Sequence, residues 1–170
     1  VARINVEDGD IRIRGRAKVS DELSAEQGDV VISGDLEAGT VNAANGSVTV
    51  MGGAQIHDLH AGGDVTFAGA LHAHDVRAGG TTRIGGEAEA HAIRSDVVHL
   101  EGPRVDVRMV QGRTSIHAAG TRITSDLFIA PTVEVTAETS GRITVVESRN
   151  ELGPNSLKGC LGLEDLASLI

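Results

Sequence analysis

Trp and Tyr are absent from this chain of 170 residues, and Phe67 and Phe128 are its only aromatic side chains of the Phe, Trp and Tyr class. Stacking platforms for single-stranded nucleic acid are therefore missing, and a carbohydrate groove, which grips sugars on aromatic faces, is not expected. Lys and Arg never cluster, and 15 basic against 24 acidic residues give a formal charge of −9. That charge opposes phosphate backbones and anionic lipid surfaces, so neither nucleic acid nor membrane is an expected partner. Cys160 stands alone and cannot close an intrachain disulfide, so packing must hold the fold. It is read as an unreactive thiol, since no paired histidine or helix start is placed to activate it. No run of about 18 apolar residues suggests a membrane span, and there is no secretory leader pattern at the start. Because the chain opens with Val1, it is expected to be a segment of a longer protein. No Gly-x-Ser-x-Gly elbow occurs, and no Ser/His/Asp or Cys/His set is marked, so no catalytic residues are assigned.

What the chain does have is glycine, 22 residues of it, and a repeat. Gly28-Asp29-Val30-Val31-Ile32-Ser33-Gly34 returns as the segments beginning at Gly46, Gly63 and Gly80, and an earlier copy begins at Gly9. The starts differ by 28−9 = 19, 46−28 = 18, 63−46 = 17 and 80−63 = 17 residues. Helical repeats need roughly 30 to 45 residues, so this spacing points to the coil of a β-solenoid. Within each copy apolar residues, most of them β-branched, alternate: Ile11 and Ile13, Val30 and Ile32, Val48 and Val50, Val65 and Phe67. Period-two alternation predicts a strand with one face inside. A second pair follows in each coil (Leu23 and Ala25, Val41 and Ala43, Leu59 and Ala61, Val76 and Ala78, Ile93 and Ser95). A third side carries Ala17, Leu36, Ala54, Leu71 and Ala88. Three inward sides make a triangle. The predicted fold is all-β: a single-stranded, three-sided parallel β-helix of about 17–19 residues per coil over residues 3–146, with a short C-terminal helical tail over residues 147–170.

Glycines at Gly34, Gly52, Gly69 and Gly85, with the Gly62-Gly63 and Gly79-Gly80 pairs, are read as corners that need positive φ or close backbone approach. None precedes a helix, so a phosphate-cradling loop is not inferred. Beyond Val97 the pattern drifts, and separate strands are predicted around Val105–Val110, Arg113–Ile116, Thr121–Thr124, Val133–Thr136 and Arg142–Val145. In the tail, Leu163, Leu166, Leu169 and Ile170 are the candidate partner-binding residues, and Leu163, Leu166 and Ile170 fall on one face of a short helix. Such a segment suits a cap over the last coil, whose strand edges otherwise invite association, or a partner-docking surface.

The most specific polar feature is a histidine column. Because 74−57 = 17 and 91−74 = 17, His57, His74 and His91 occupy one position of three consecutive coils, with Asp58 and Asp75 following two of them. These three histidines are the candidate metal ligands, for imidazole nitrogens that converge can hold a divalent ion. Stacking one coil apart favours parallel rings over convergence, however, and a solvent-facing ladder is the plainer expectation. Three close imidazoles also repel when protonated, which allows a pH response. His60, Arg77 and Arg94 form a second outward column, while His99 and His117 carry no spacing argument. No cofactor is expected, and the scattered carboxylates are read as solvating outward groups.

The run from Gly28 to Ala43, continued by Val48-Thr49-Val50-Met51-Gly52-Gly53-Ala54-Gln55-Ile56 and Leu59-His60-Ala61-Gly62-Gly63-Asp64-Val65, resembles the β-helical region of the flagellar assembly protein A family. Residues 9–102 follow that pattern well and the rest loosely. Bactofilins and the C-terminal domain of the septum-placing inhibitor MinC use similar triangular coils. The family's preceding domain and long C-terminal coiled coil have no counterpart here, so their roles do not carry over. What the resemblance implies is a cytoplasmic, non-enzymatic scaffold that works through protein partners in assembly or signalling. The alternatives are a bactofilin-like self-polymerising element and a metal-binding module or metal-dependent enzyme built on the histidine column.

Overall fold

A computed structural model describes residues 2–119, 122–136, 138–139 and 144–145. Among the described residues there is no helix; the chain winds through about seven turns of a β-solenoid whose strands form one continuous parallel sheet. The first side stacks the short strands Ile11–Ile13, Val30–Ile32, Val48–Val50, Val65–Phe67 and Thr81–Ile84 in register. It continues through Val98, Ile116 and Val133. The other two sides of each coil lie on one longer strand that bends midway, as in Ala17–Ala25, Leu36–Ala43, Ala54–Ala61 and Leu71–Ala78. Ala88–Leu100 and Arg104–Ala118 run on through a further corner and supply all three sides. The drifting region is thus more continuous than its turn residues suggest: Gly112 lies within a strand and not between two.

Three columns of aliphatic side chains meet along the axis. Val30, Val48, Val65, Ile32 and Phe67 are fully buried on the first side, as are Val41, Val76 and Ile93 on the third. On the second side two inward columns compensate each other through the first four coils. Ala17 sits with Val19, Leu36 with Ala38, Ala54 with Ile56 and Leu71 with Ala73, so each of these four coils offers that side one large residue and one small, while the next two carry the equal pairs Ala88 with Ala90 and Val105 with Val107. A narrow triangular interior favours one large side chain beside one small at native packing density. Thr82 breaks the pattern. It occupies the column position of Val65 and Val98, is fully buried, and its hydroxyl has no hydrogen-bond partner.

Strands in neighbouring coils lie about 4.8 Å apart, and that spacing explains the glycines better than dihedral preference does. Among the described residues, only Gly9 and Gly15 are glycines with positive φ. At Gly34, Gly52, Gly69 and Gly86 a Cβ would instead point along the axis into the backbone of the glycine one coil before. On Gly52 it would lie 2.5 Å from the Gly34 carbonyl carbon. The corner member in the fifth coil is Gly86, not Gly85, where a Cβ would meet its nearest neighbour at an ordinary 3.6 Å.

The Asp or Ser that follows Gly9, Gly28, Gly46 and Gly63 at the start of each repeat also works along the axis. Asp10 Oδ1 accepts the Asp29 N–H at 3.0 Å, Asp29 Oδ1 the Ser47 N–H at 2.8 Å, Ser47 Oγ the Asp64 N–H at 3.1 Å, and Asp64 Oδ1 the Thr81 N–H at 2.7 Å. Each side chain satisfies a backbone donor that the strand ladder leaves open at the bend. The bond from Asp29, helped by Arg12, holds the Asp10 carboxyl below its ordinary value.

Two substitutions test this packing. Gly52→Ala forces two backbones apart and is expected to cost about 1–3 kcal/mol, whereas Gly53→Ala, whose Cβ would have 3.4 Å to its nearest neighbour, is expected to leave the denaturant midpoint nearly unchanged. Thr82→Val replaces a buried unpaired hydroxyl with a methyl and is expected to stabilise by about 1 kcal/mol, read as a higher midpoint in urea.

Candidate functional site

The second side of the solenoid has two outward columns flanking a shallow groove. Along one run Lys18, Glu37, Gln55, His72, Glu89 and Asp106; along the other, Gly39, His57, His74, His91 and Arg108. Strand alternation puts them there: Ile56 turns inward, so Gln55 and His57 turn out. The groove holds about 1040 Å³ and is open to solvent along its length. Its first rim is tied by contacts one coil apart, Lys18 Nζ to Glu37 at 2.7 Å and His72 Nδ1 to Glu89 at 3.4 Å. Exposed pairs of this kind add little stability individually.

The second rim carries the histidine column, and its rings stack as the spacing requires. Centroids of His57 and His74 are 4.9 Å apart, as are those of His74 and His91. The two steps nevertheless differ, for His74 and His91 are parallel to within 2° while His57 and His74 are inclined by 30°. Asp58 lies at the inclined step, with Oδ2 4.0 Å from His57 Nε2 and Oδ1 4.0 Å from His74 Nδ1. One ligand atom from each of His57, Asp58 and His74 falls within 4.8 Å of the other two. His91, the third histidine of the expected set, stacks on His74 but is not among these three.

Asp75 is the register neighbour of Asp58 one coil on, yet its surroundings are unlike those of Asp58. Arg77 donates to Asp75 Oδ2 from Nε at 3.0 Å and lies 2.9 Å from it through a terminal nitrogen, and Arg94 reaches the same oxygen at 3.5 Å. Of the His60, Arg77 and Arg94 column, Arg77 and Arg94 therefore neutralise Asp75. Its side chain is 17% exposed against 50% for Asp58, and Asp75 Oδ1 is buried without a partner.

A further cluster escaped the spacing argument. His99 and His117 are register partners with rings stacked at 4.8 Å. His117 Nδ1 lies 2.8 Å from Glu134 Oε2, and its Nε2 lies 3.1 Å from Ser115 Oγ. The order serine, histidine, carboxylate is that of a nucleophile, a base and its orienting group. Catalysis by such a set also needs backbone donors aimed at a developing oxyanion. Ser115, though, lies inside a strand paired with Val97 on one side and Thr132 on the other, which directs the strand's N–H groups into the ladder. Coil lengths hid the cluster: 98−82 = 16 and 116−98 = 18 register steps replace the regular 17.

Among the described residues, no helix is long and apolar enough to cross a membrane. The only large hydrophobic side chain exposed among them is Met51. Leu163, Leu166, Leu169 and Ile170, together with Cys160, lie outside the described residues. Comparison with protein-family models, with curated proteins and with solved structures gave no match.

Burial lowers the pKa of His99, and the neighbouring His117 and Arg83 lower it further, against a smaller opposing pull from Glu101. The fold therefore favours neutral imidazole there. This contribution to stability is fully present above pH 6.5, the ordinary histidine value, and is lost as pH falls through the lowered folded-state value. An NMR titration is expected to place His99 below 6.5, and His117→Gln is expected to move it upward.

Proposed function

We propose that this chain is a non-enzymatic scaffold, a stiff rod whose regular faces present side chains to protein partners. The observation that carries the reading is the coil-on-coil stacking of the three sides, continuous from Ile11 to Val133 on the first side. Each coil is held by its neighbours above and below, so the lateral faces are free to vary while their spacing is not. A polar, open groove supports recognition of another surface better than enclosure of a small substrate. The resemblance to the flagellar assembly protein A family supports the same reading and adds a bacterial cytoplasmic setting and a role in assembly or signalling.

A second reading, self-polymerisation in the manner of bactofilins, is favoured by the way the coils pair. Each coil joins the next through parallel strand edges, and a second copy stacked end to end would extend the same ladder. The two readings part on assembly state. The scaffold reading predicts a monomer or small oligomer by light scattering across a wide concentration range, with no filaments by negative-stain electron microscopy. Concentration-dependent filaments of the full chain would replace it with the polymer reading. Filaments formed only after removal of residues 147–170 would mean that the tail blocks stacking in a chain otherwise able to polymerise.

A further inference from the structure

We propose that His57, Asp58 and His74 form a surface zinc site of two imidazoles and one carboxylate, and that the neighbouring step of the same column, His74, Asp75 and His91, does not. The two steps repeat the same residue types at the same coil positions, so spacing alone cannot separate them. Three observations do. The rings are inclined by 30° at the first step and by 2° at the second, and only inclined rings turn nitrogens toward a common point. Asp58 already places Oδ2 4.0 Å from His57 Nε2 and Oδ1 4.0 Å from His74 Nδ1. Asp75 has its Oδ2 occupied by Arg77 and Arg94, whose positive charge also repels a cation.

Zinc bonds of about 2.0–2.2 Å in tetrahedral geometry place ligand atoms roughly 3.4 Å apart. The three ligand atoms, within 4.8 Å of one another, reach that separation by small rotations of exposed side chains on a fixed sheet. His57 and His74 are 68% and 56% exposed, so little packing resists the movement. Two neutral imidazoles and a carboxylate match the ligand preference of Zn²⁺ better than that of Ca²⁺ or Mg²⁺, which favour oxygen. Three protein ligands leave a fourth position for water or for a donor from another molecule. The site is independent of the scaffold reading, since a rod can carry the ion with or without partners.

The test is calorimetric titration of Zn²⁺ into the full, untagged, chelator-treated chain carrying Cys160→Ser, which removes the only thiol. One ion per chain is expected. His57→Ala and Asp58→Asn are each expected to weaken binding by at least about tenfold, the lower end of the loss seen even for outer-shell partners, while His91→Ala leaves it unchanged. NMR should show zinc-induced shifts at the His57 and His74 rings, and matching thermal melts would establish that the variants fold. Absence of saturable binding would overturn the proposal, as would an equal loss in His91→Ala and His57→Ala.

Discussion

Hydrogen bonding between successive coils, at the separation of paired strands, is the constraint from which the rest of this structure follows. Backbone groups on every side must find partners above and below, so equivalent residues are held about 4.8 Å apart along the axis. At the corners the chain turns without opening that spacing, and Gly34, Gly52 and Gly69 are there because a Cβ would strike the coil before. Donors left open at the bends are taken by Asp10, Asp29, Ser47 and Asp64 from one coil below. Inside, the same fixed geometry pairs one large residue with one small on the second side of the first four coils, as in Ala54 with Ile56 and Leu71 with Ala73.

The constraint also shapes what the surface can do. Any residue type repeated at one coil position becomes a column, so histidines at 57, 74 and 91 must stack. A column by itself is chemically uniform; departures in the adjacent column make one step differ from the next. Arg77 and Arg94 bind Asp75 and leave Asp58 to its histidines. Here the repeat supplies position and its imperfections supply chemistry.

Much of the architecture was legible in the chain, because a parallel in-register stack writes its period directly into the residues. The alignment of Val30, Val48 and Val65 and of the three histidines appears in the coordinates as neighbouring register positions. Less legible was whatever depends on the third dimension. Gly85 and Gly86 are indistinguishable as adjacent letters, and only the direction of an added Cβ separates them. The ladder role of Asp29 and Asp64 is not legible, because an outward carboxylate in sequence says nothing of a donor one coil away. Nor is the pairing of His99 with His117, because the irregularity between Ser95 and Val97 changes the coil length at that point. The compensation of Ala54 by Ile56 and of Leu71 by Ala73 was visible in the letters, but it becomes an argument only when both residues are known to face the same narrow interior.

The most direct measurement of the stacking claim is a pulsed electron–electron distance between spin labels at Glu37→Cys and Asp106→Cys, with Cys160→Ser. Glu37, Gln55, His72, Glu89 and Asp106 are successive register partners, so four coil steps separate the labelled positions. Stacked coils predict a narrow distribution centred near a backbone separation of about 19 Å. A broad distribution, or one centred beyond about twice that distance, would contradict the stacking.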